Sequence, residues 1–331
     1  MKNLTKANKL IEQLAEKDNR ITPITPKDEN LFAKYFKSEP HTYGNSWTYV
    51  TQGMYGIGPH GLGYKYYDGK NLSTVCVYPK IEQPDLHCFY WVRPMGSKIL
   101  DIIDTYSKEL LSTQSMPTYV KKIFKDQFQS LVKKGFKDTS KFPWHTSCPS
   151  EDDTYPEVII DVKGTLKNKN KSRMIKNIFK RCRSLSLKVK IVKIENEEQR
   201  TSAWEVVNYF FEQDIKTLGH NISTPDDYLN PLYSSINKDH DIFLIMEHSF
   251  TRGVFDLNKI DNQYYSSYAA LMLRETLHNL NEYSVIYSCN LILKKNGSYL
   301  NLGGSESRGL DLFKNKFEVK RLNQMQWATY Y

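Results

Sequence analysis

Nothing in this sequence is apolar for long enough to cross a bilayer. Runs such as Ile242 to Met246 are far shorter than the roughly 20 residues a spanning helix needs. No stable membrane insertion is therefore expected. Cysteine is sparse, five residues with no CxxC pair, which argues against a disulfide scaffold and points to thiols kept reduced as small core residues. Glycine (16) and proline (13) are too few for a collagen-like or low-complexity chain. The opening residues Met1 to Lys6 lead into a charged amphipathic segment and not an apolar signal core, so a cytoplasmic location is expected.

What remains is globular. The 331 residues are 40% hydrophobic and 25% charged, ample for sizeable cores and long enough to favour two domains over one. The net charge is +9, from 46 Lys+Arg against 37 Asp+Glu. That surplus is local. Twelve basic residues fall between Lys163 and Lys193 with no Asp or Glu among them, leaving the rest of the chain slightly acidic. Within the stretch, Ile175, Ile178, Phe179 and Cys182 recur at helical spacing and form an apolar stripe. Lys176, Lys180, Arg181 and Arg183 are left in water. Such a face attracts a polyanion, whether RNA, a nucleotide phosphate or an anionic lipid surface. It also fits an ordinary solvated helix in a lysine-rich chain.

Periodicity predicts helices over residues 5–18 and 26–37, with Thr25 as N-cap and Pro26 in the first turn. Short aromatic strands are expected at Trp47 to Gln52, Gly63 to Tyr67, Leu72 to Tyr78 and His87 to Val92, with Asp68-Gly69 as a hairpin turn. Helices are expected at Lys98 to Leu111 and Tyr119 to Lys134. The Pro-, Ser- and acid-rich residues 138–156 read as the interdomain connection.

The second half restarts with a strand (Val158 to Val162), the basic helix, a strand (Leu187 to Ile194) and a helix from Asn196 to Leu218. Thr224 to Asp227 open a further helix. Paired strands at Asp241 to Glu247 and Val254 to Leu257 come next, then helices over Tyr268 to Leu280 and Glu282 to Lys295. A strand (Tyr299 to Leu302), a glycine turn, a short helix (Leu310 to Phe317) and a strand (Gln324 to Thr329) finish the chain.

Most apparent motifs fail on context. Gly56 to Gly61 spells GxGxxG, but Pro59 interrupts it and no helix follows to hold a pyrophosphate. His145 and Cys148 lack a second pair at zinc spacing, so no metal is expected. Gly304-Ser305-Glu306-Ser307 lacks the closing glycine of a nucleophile elbow. Asp152-Asp153 and Asp226-Asp227 read as linker or helix-start carboxylates. The densest signal is Asn301-Leu302-Gly303-Gly304-Ser305-Glu306-Ser307, running on through Phe313, Lys314 and Phe317. It reads as strand, tight turn, helix. Main-chain N–H groups there would suit a phosphate or a developing oxyanion, with Lys314 adding positive charge. A plain turn with Phe313 and Phe317 packed inside is the alternative.

Leu302-Gly303-Gly304, Gly309-Leu310, Phe313-Lys314 and Phe317 resemble the C-terminal signature of FemABX aminoacyl transferases and of phosphatidylglycerol lysyltransferase catalytic domains. The stretch Lys169 to Val189 and the segment Tyr43-Gly44-Asn45-Ser46-Trp47-Thr48-Tyr49 are similar to the lysyltransferase-related group. The resemblance implies an α+β fold: two tandem GNAT (acyl-CoA N-acyltransferase)-like domains, with mixed, mostly antiparallel sheets flanked by helices. The first would span 1–150, and the second 151–331 with the acyl-transfer site. It further implies transfer of an aminoacyl group from aminoacyl-tRNA to an amine or hydroxyl on a small-molecule, lipid or peptide acceptor, with no bound cofactor. An Asn301 where FemABX proteins usually have an acid argues against a peptidoglycan precursor.

On this reading Lys314 and Glu306 are the catalytic candidates, Glu306 as proton acceptor or amine clamp. Asn301, Gly303, Gly304, Ser305 and Phe313 would line the substrate. Arg173, Lys176, Lys180, Arg181 and Arg183 would hold the donor's phosphates. One rival is an acyl-CoA-dependent N-acyltransferase, disfavoured because no Arg/Gln-x-x-Gly-x-Gly/Ala loop is present. The other is a non-catalytic protein that binds RNA or a membrane surface on the same fold.

Overall fold

The computed structural model describes residues 2–38, 41–52, 63–79, 85–139, 155–167, 172–215, 240–267, 270–273, 277–305 and 308–331. Gly56 to Gly61, His145 to Cys148, Asp152-Asp153, Thr224 to Asp227 and Glu306 lie outside those residues.

The chain divides into two compact units. The first comprises residues 1–156, 304–308 and 323–331; the second comprises 157–303 and 309–322. Helix α1 (Lys2–Lys17) opens the first unit, its Ala7, Ile11 and Leu14 buried. Strand β1 (Ile21–Pro23) leads to Thr25, whose N–H is met by Asp28 Oδ2 at 2.8 Å in a capping box that starts the turn before α2 (Glu29–Ser38). Then come α3 (Trp47–Gln52), β2 (Tyr64–Tyr67), β3 (Leu72–Pro79), β4 (His87–Met95), α4 (Ile99–Gln114), β5 (Thr118–Ile123), α5 (Lys125–Lys133) and β6 (Lys137–Asp138). With the chain's last strand, β15 (Gln326–Tyr330), they form a sheet of order β1-β2-β3-β4-β5-β15-β6. Only β4 and β5 pair in parallel among the registers described for it.

The second unit runs β7 (Glu157–Asp161), α6 (Val162–Lys167), α7 (Arg173–Leu185), β8 (Lys190–Lys193) and α8 (Glu197–Phe210), the last capped by Asn196. Strands β9 (His240–Glu247), β10 (Phe250–Lys259), β11 (Tyr264–Ser266) and β12 (Ala270–Met272) follow, then α9 (Leu280–Lys294), β13 (Tyr299–Asn301), α10 (Arg308–Lys314) and β14 (Val319–Asn323). The sheet order is β14-β7-β13-β11-β10-β9-β8, with β12 also pairing β10. Strands β11 and β13 are parallel; β10 is antiparallel to β9, β11 and β12. One face of this sheet packs Val158, Ile160, Leu257, Tyr265 and Leu300 against Ile178 and Cys182 of α7 and Cys289 and Ile292 of α9. The other face sets Leu244 and Val254 under Ala203, Val206 and Val207 of α8.

Three expectations are corrected. Trp47 to Gln52 is helical despite its β-rich composition, because Ser46 Oγ caps it by accepting from Tyr49 N–H at 3.0 Å. The single helix expected over Tyr119 to Lys134 splits. Tyr119 and Val120 are buried in β5 between β4 and β15, and α5 begins only after Phe124, whose N–H is taken by Gln127 Oε1 at 3.0 Å. Ala270-Leu271-Met272, good helix formers, are instead a strand because β10 pairs with them. Strand β14 was not anticipated from the sequence.

Candidate functional site

In the second unit two places gather the sequence-derived candidates. The first is the turn after β13. Gly303 takes φ +71°, a left-handed conformation that favours glycine. Its N–H donates to Asn301 Oδ1 at 2.8 Å, so this group is spent inside the turn and not presented to an oxyanion. Asn301, 1% exposed, also donates from Nδ2 to Glu157 Oε2 at 3.0 Å. The Gly303 carbonyl accepts from Val158 N–H and from Lys314 Nζ, both at 3.2 Å. Lys314 is thus buried against the turn it was expected to serve. Phe313 packs on the main core, edge-on to Phe317 at 5.8 Å between ring centroids, with Lys316 Nζ 5.2 Å above its ring. Gly304 and Ser305 fall in the first unit, where Ser305 forms an isolated bridge with Tyr155.

The second place is a cleft of about 410 Å³ lined by Arg173, Met174, Asn177, Ile178 and Arg181 of α7 with Asn279, Glu282 and Lys316. Ser172 caps α7, its Oγ accepting from Ile175 N–H at 3.2 Å, which places Arg173 at the helix's positive end. Arg181 Nη1 reaches Asn279 Oδ1 at 3.1 Å, just ahead of α9. Lys316 is neutralised by Glu282 at 2.8 Å. Neither arginine meets a carboxylate among the described residues. Of the five cations expected to hold phosphate, Arg173 and Arg181 line the cleft; Lys176, Lys180 and Arg183 do not. Helical spacing sets these three on an adjacent, exposed stripe of the same helix.

A third group was missed. On the face of the sheet away from the main core, register aligns His240, Asn258, Ser266 and Asn301 on four neighbouring strands. Asp256 lies two residues from Asn258 on the same face. Asp256, Asn258, Ser266 and Asn301 are at most 3% exposed. The alternation Asp256-Leu257-Asn258 was legible in the sequence, but alternation alone normally means polar residues in water. Their burial is visible only in three dimensions.

No metal-ligating group of three or more His, Cys, Asp or Glu occurs among the described residues. No described helix is long and apolar enough to cross a membrane.

No protein-family model matches the chain, and no curated protein does. Solved structures do. FemX aligns at TM-score 0.61 and 13% identity, covering 94% of this chain and 96% of its own. L-PGS from Bacillus licheniformis aligns at TM-score 0.60 and 9% identity, covering 93% and 92%. A tandem GNAT protein from the clavulanic acid biosynthesis pathway aligns at TM-score 0.53 and 7% identity, covering 94% and 97%. Identities this low speak for the fold alone, and on the fold they agree: this chain has the mixed α+β architecture of the tandem GNAT-like proteins.

Proposed function

We propose that this protein is an acyltransferase that takes an activated acyl group from a phosphate-bearing donor, aminoacyl-tRNA in the first instance, and passes it to an amine or hydroxyl acceptor. The observation that carries the reading is the cleft, which Arg173 and Arg181 line together beside the starts of α7 and α9. Planar guanidiniums suit phosphate oxygens, and the start of a capped helix adds N–H donors to them. Lys176, Lys180 and Arg183 extend the positive surface along α7 beyond the cleft. That extension favours a long polyanion over the single pyrophosphate of coenzyme A. The tandem GNAT-like fold is compatible with both donors.

Fluorescence anisotropy with bulk aminoacyl-tRNA, run against calorimetry with acetyl-CoA, tests the assignment. Tight, salt-sensitive tRNA binding is expected, weakened by Arg173→Ala/Arg181→Ala. The triple change Lys176→Ala/Lys180→Ala/Arg183→Ala should flatten the salt dependence, by about 0.7 in log–log slope per lost contact to a single strand. Binding of acetyl-CoA in place of tRNA would move the reading to an acyl-CoA-dependent N-acyltransferase. Binding of neither donor would end it, and tRNA binding without any acyl transfer would leave a non-catalytic anion-binding protein.

A further inference from the structure

The buried polar row on the second sheet contains a histidine paired with a carboxylate. His240 Nε2 lies 2.9 Å from Asp256 Oδ2, with the two side chains 2% and 5% exposed. Asp256 is itself fixed. Asn258 Nδ2 donates to its Oδ2 at 3.0 Å, and Ser267 Oγ to its Oδ1 at 3.3 Å. The other imidazole nitrogen, Nδ1, has no hydrogen-bond partner among the described residues.

The setting sharpens the anomaly. Along β9 and β10 this face passes from apolar residues under α8 (Leu244 and Val254) to Asp256, Asn258 and His240. The row continues through Ser266, 1% exposed, whose Oγ also has no hydrogen-bond partner among the described residues. It ends at Asn301, where the parallel β11–β13 ladder stops: Ser266 is the last residue of β11 and Asn301 the last of β13. A buried hydroxyl without a partner is costly, so Ser266 is poorly explained as mere filling. The row makes sense as the floor of a polar ligand site.

We propose that His240 is the general base of the acyl-transfer reaction, with Asp256 its positioning residue and Asn258, Ser266 and Asn301 the floor beneath a small N–H or O–H acceptor. The assignment rests on the acyl-transfer reading above. The carboxylate fixes the Nε2–H tautomer, leaving the Nδ1 lone pair for the acceptor. His240 Nδ1 takes the proton from the acceptor nitrogen or oxygen as that atom's electron pair forms a bond to the donor's carbonyl carbon. The tetrahedral centre then breaks its C–O bond to the donor's ribose, or its C–S bond in a thioester. The imidazolium returns the proton to the leaving oxygen or sulfur, and no enzyme nucleophile is consumed.

The test measures deacylation of radiolabelled aminoacyl-tRNA and, separately, of acetyl-CoA. Each donor is mixed with the small-molecule and lipid fraction of a bacterial lysate, and wild-type protein is compared with His240→Gln. A drop in turnover of roughly 100- to 10,000-fold with unchanged donor affinity is expected. Wild-type turnover that survives His240→Gln within about threefold overturns the base and leaves acyl transfer standing. A wild-type protein that deacylates neither donor overturns acyl transfer, and the base with it. Long-range ¹⁵N–¹H NMR of the wild-type histidines decides the matter if His240→Gln does not fold. An Nε2–H, bare-Nδ1 tautomer at His240 is expected, lost in Asp256→Asn; an Nδ1–H tautomer in the wild type overturns the proposal.

Discussion

Asn301 Nδ2 donates to Glu157 Oε2 at 3.0 Å, tying the last residue of β13 to the first of β7 with both side chains buried. Changing Asn301→Asp keeps the acceptor for Gly303 N–H but sets a second carboxylate against Glu157. Two carboxylates at hydrogen-bond distance cannot both ionise cheaply, so one of them takes a raised pKa in the folded state. The variant should lose about 2–4 kcal/mol at pH 7. The sign follows from the raised value: the deficit shrinks as pH falls from 7 towards 5, because the folded state then binds the proton it wants. Asn301→Leu removes both hydrogen bonds without adding a second charge, so its deficit should change less over that range than that of Asn301→Asp. Urea unfolding of the two variants at both pH values separates them.

Lys314 Nζ holds the Gly303 carbonyl from the end of α10. Lys314→Met preserves most of the buried stem and removes the donor. A loss of about 1–3 kcal/mol in stability is expected from that change. Affinity for tRNA should be unaltered, since the ammonium faces the turn and the cleft is lined by other residues. A fall in tRNA affinity at unchanged stability would place Lys314 in the donor site.

Asp241 bridges two elements of the second unit, pairing with Lys193 of β8 at 2.5 Å and Lys295 beyond α9 at 2.9 Å. Burial pushes its carboxyl up, but the hydrogen bonds from Lys193 and Lys295 outweigh this and hold it below the usual carboxylate range. A depressed folded-state pKa contributes stability above the unfolded value near 4, lost as pH falls through the lower folded value. Both lysines are more than two-fifths exposed, so solvent screening limits the effect to about 1 kcal/mol or less. Asp241→Asn should therefore be mildly less stable at pH 7 and match the wild type near pH 2. Thermal melts at the two pH values check this.

The sequence made the amphipathic core of α7 plain, because Ile178 and Cys182 sit at helical spacing and do face the core. The Asp68-Gly69 hairpin was equally legible: β2 and β3 pair from Tyr67 and Leu72 outward, with Gly69 at φ +88°. Where propensity and pairing disagreed, pairing won, as at Ala270 to Met272. The candidate site divided in the same way. Residues close in sequence, Gly303 with Lys314, could be seen to belong together. His240 and Asp256 could not, since their partnership arises from the β9–β10 register across a hairpin. Arg181 and Asn279, 98 residues apart, meet only through packing.

Cys182 gives a direct reading of ligand binding at α7, because it lies on the inner side of the helix whose outer side carries the cations. Burial pushes its thiol up to about 12, and that of Cys289 on the inner side of α9 likewise to about 12. Cys76 is raised by burial as well. The thiolate is the reactive species, so none of the three should react with a disulfide reagent at pH 8 unless its helix or strand opens. Site-resolved mass spectrometry should find Cys76 and Cys289 labelled only on global unfolding. Cys182 should be labelled sooner, by local opening of a helix that is exposed along most of one side. A polyanion bound across Arg173 and Arg181 stabilises the closed helix by linkage. At a free concentration of 100 times its Kd, tRNA should slow Cys182 labelling by about 100-fold and leave Cys76 labelling changed only through global stability. Equal slowing at both thiols would place the binding energy in the whole fold; no slowing at Cys182 would place the bound polyanion somewhere other than α7.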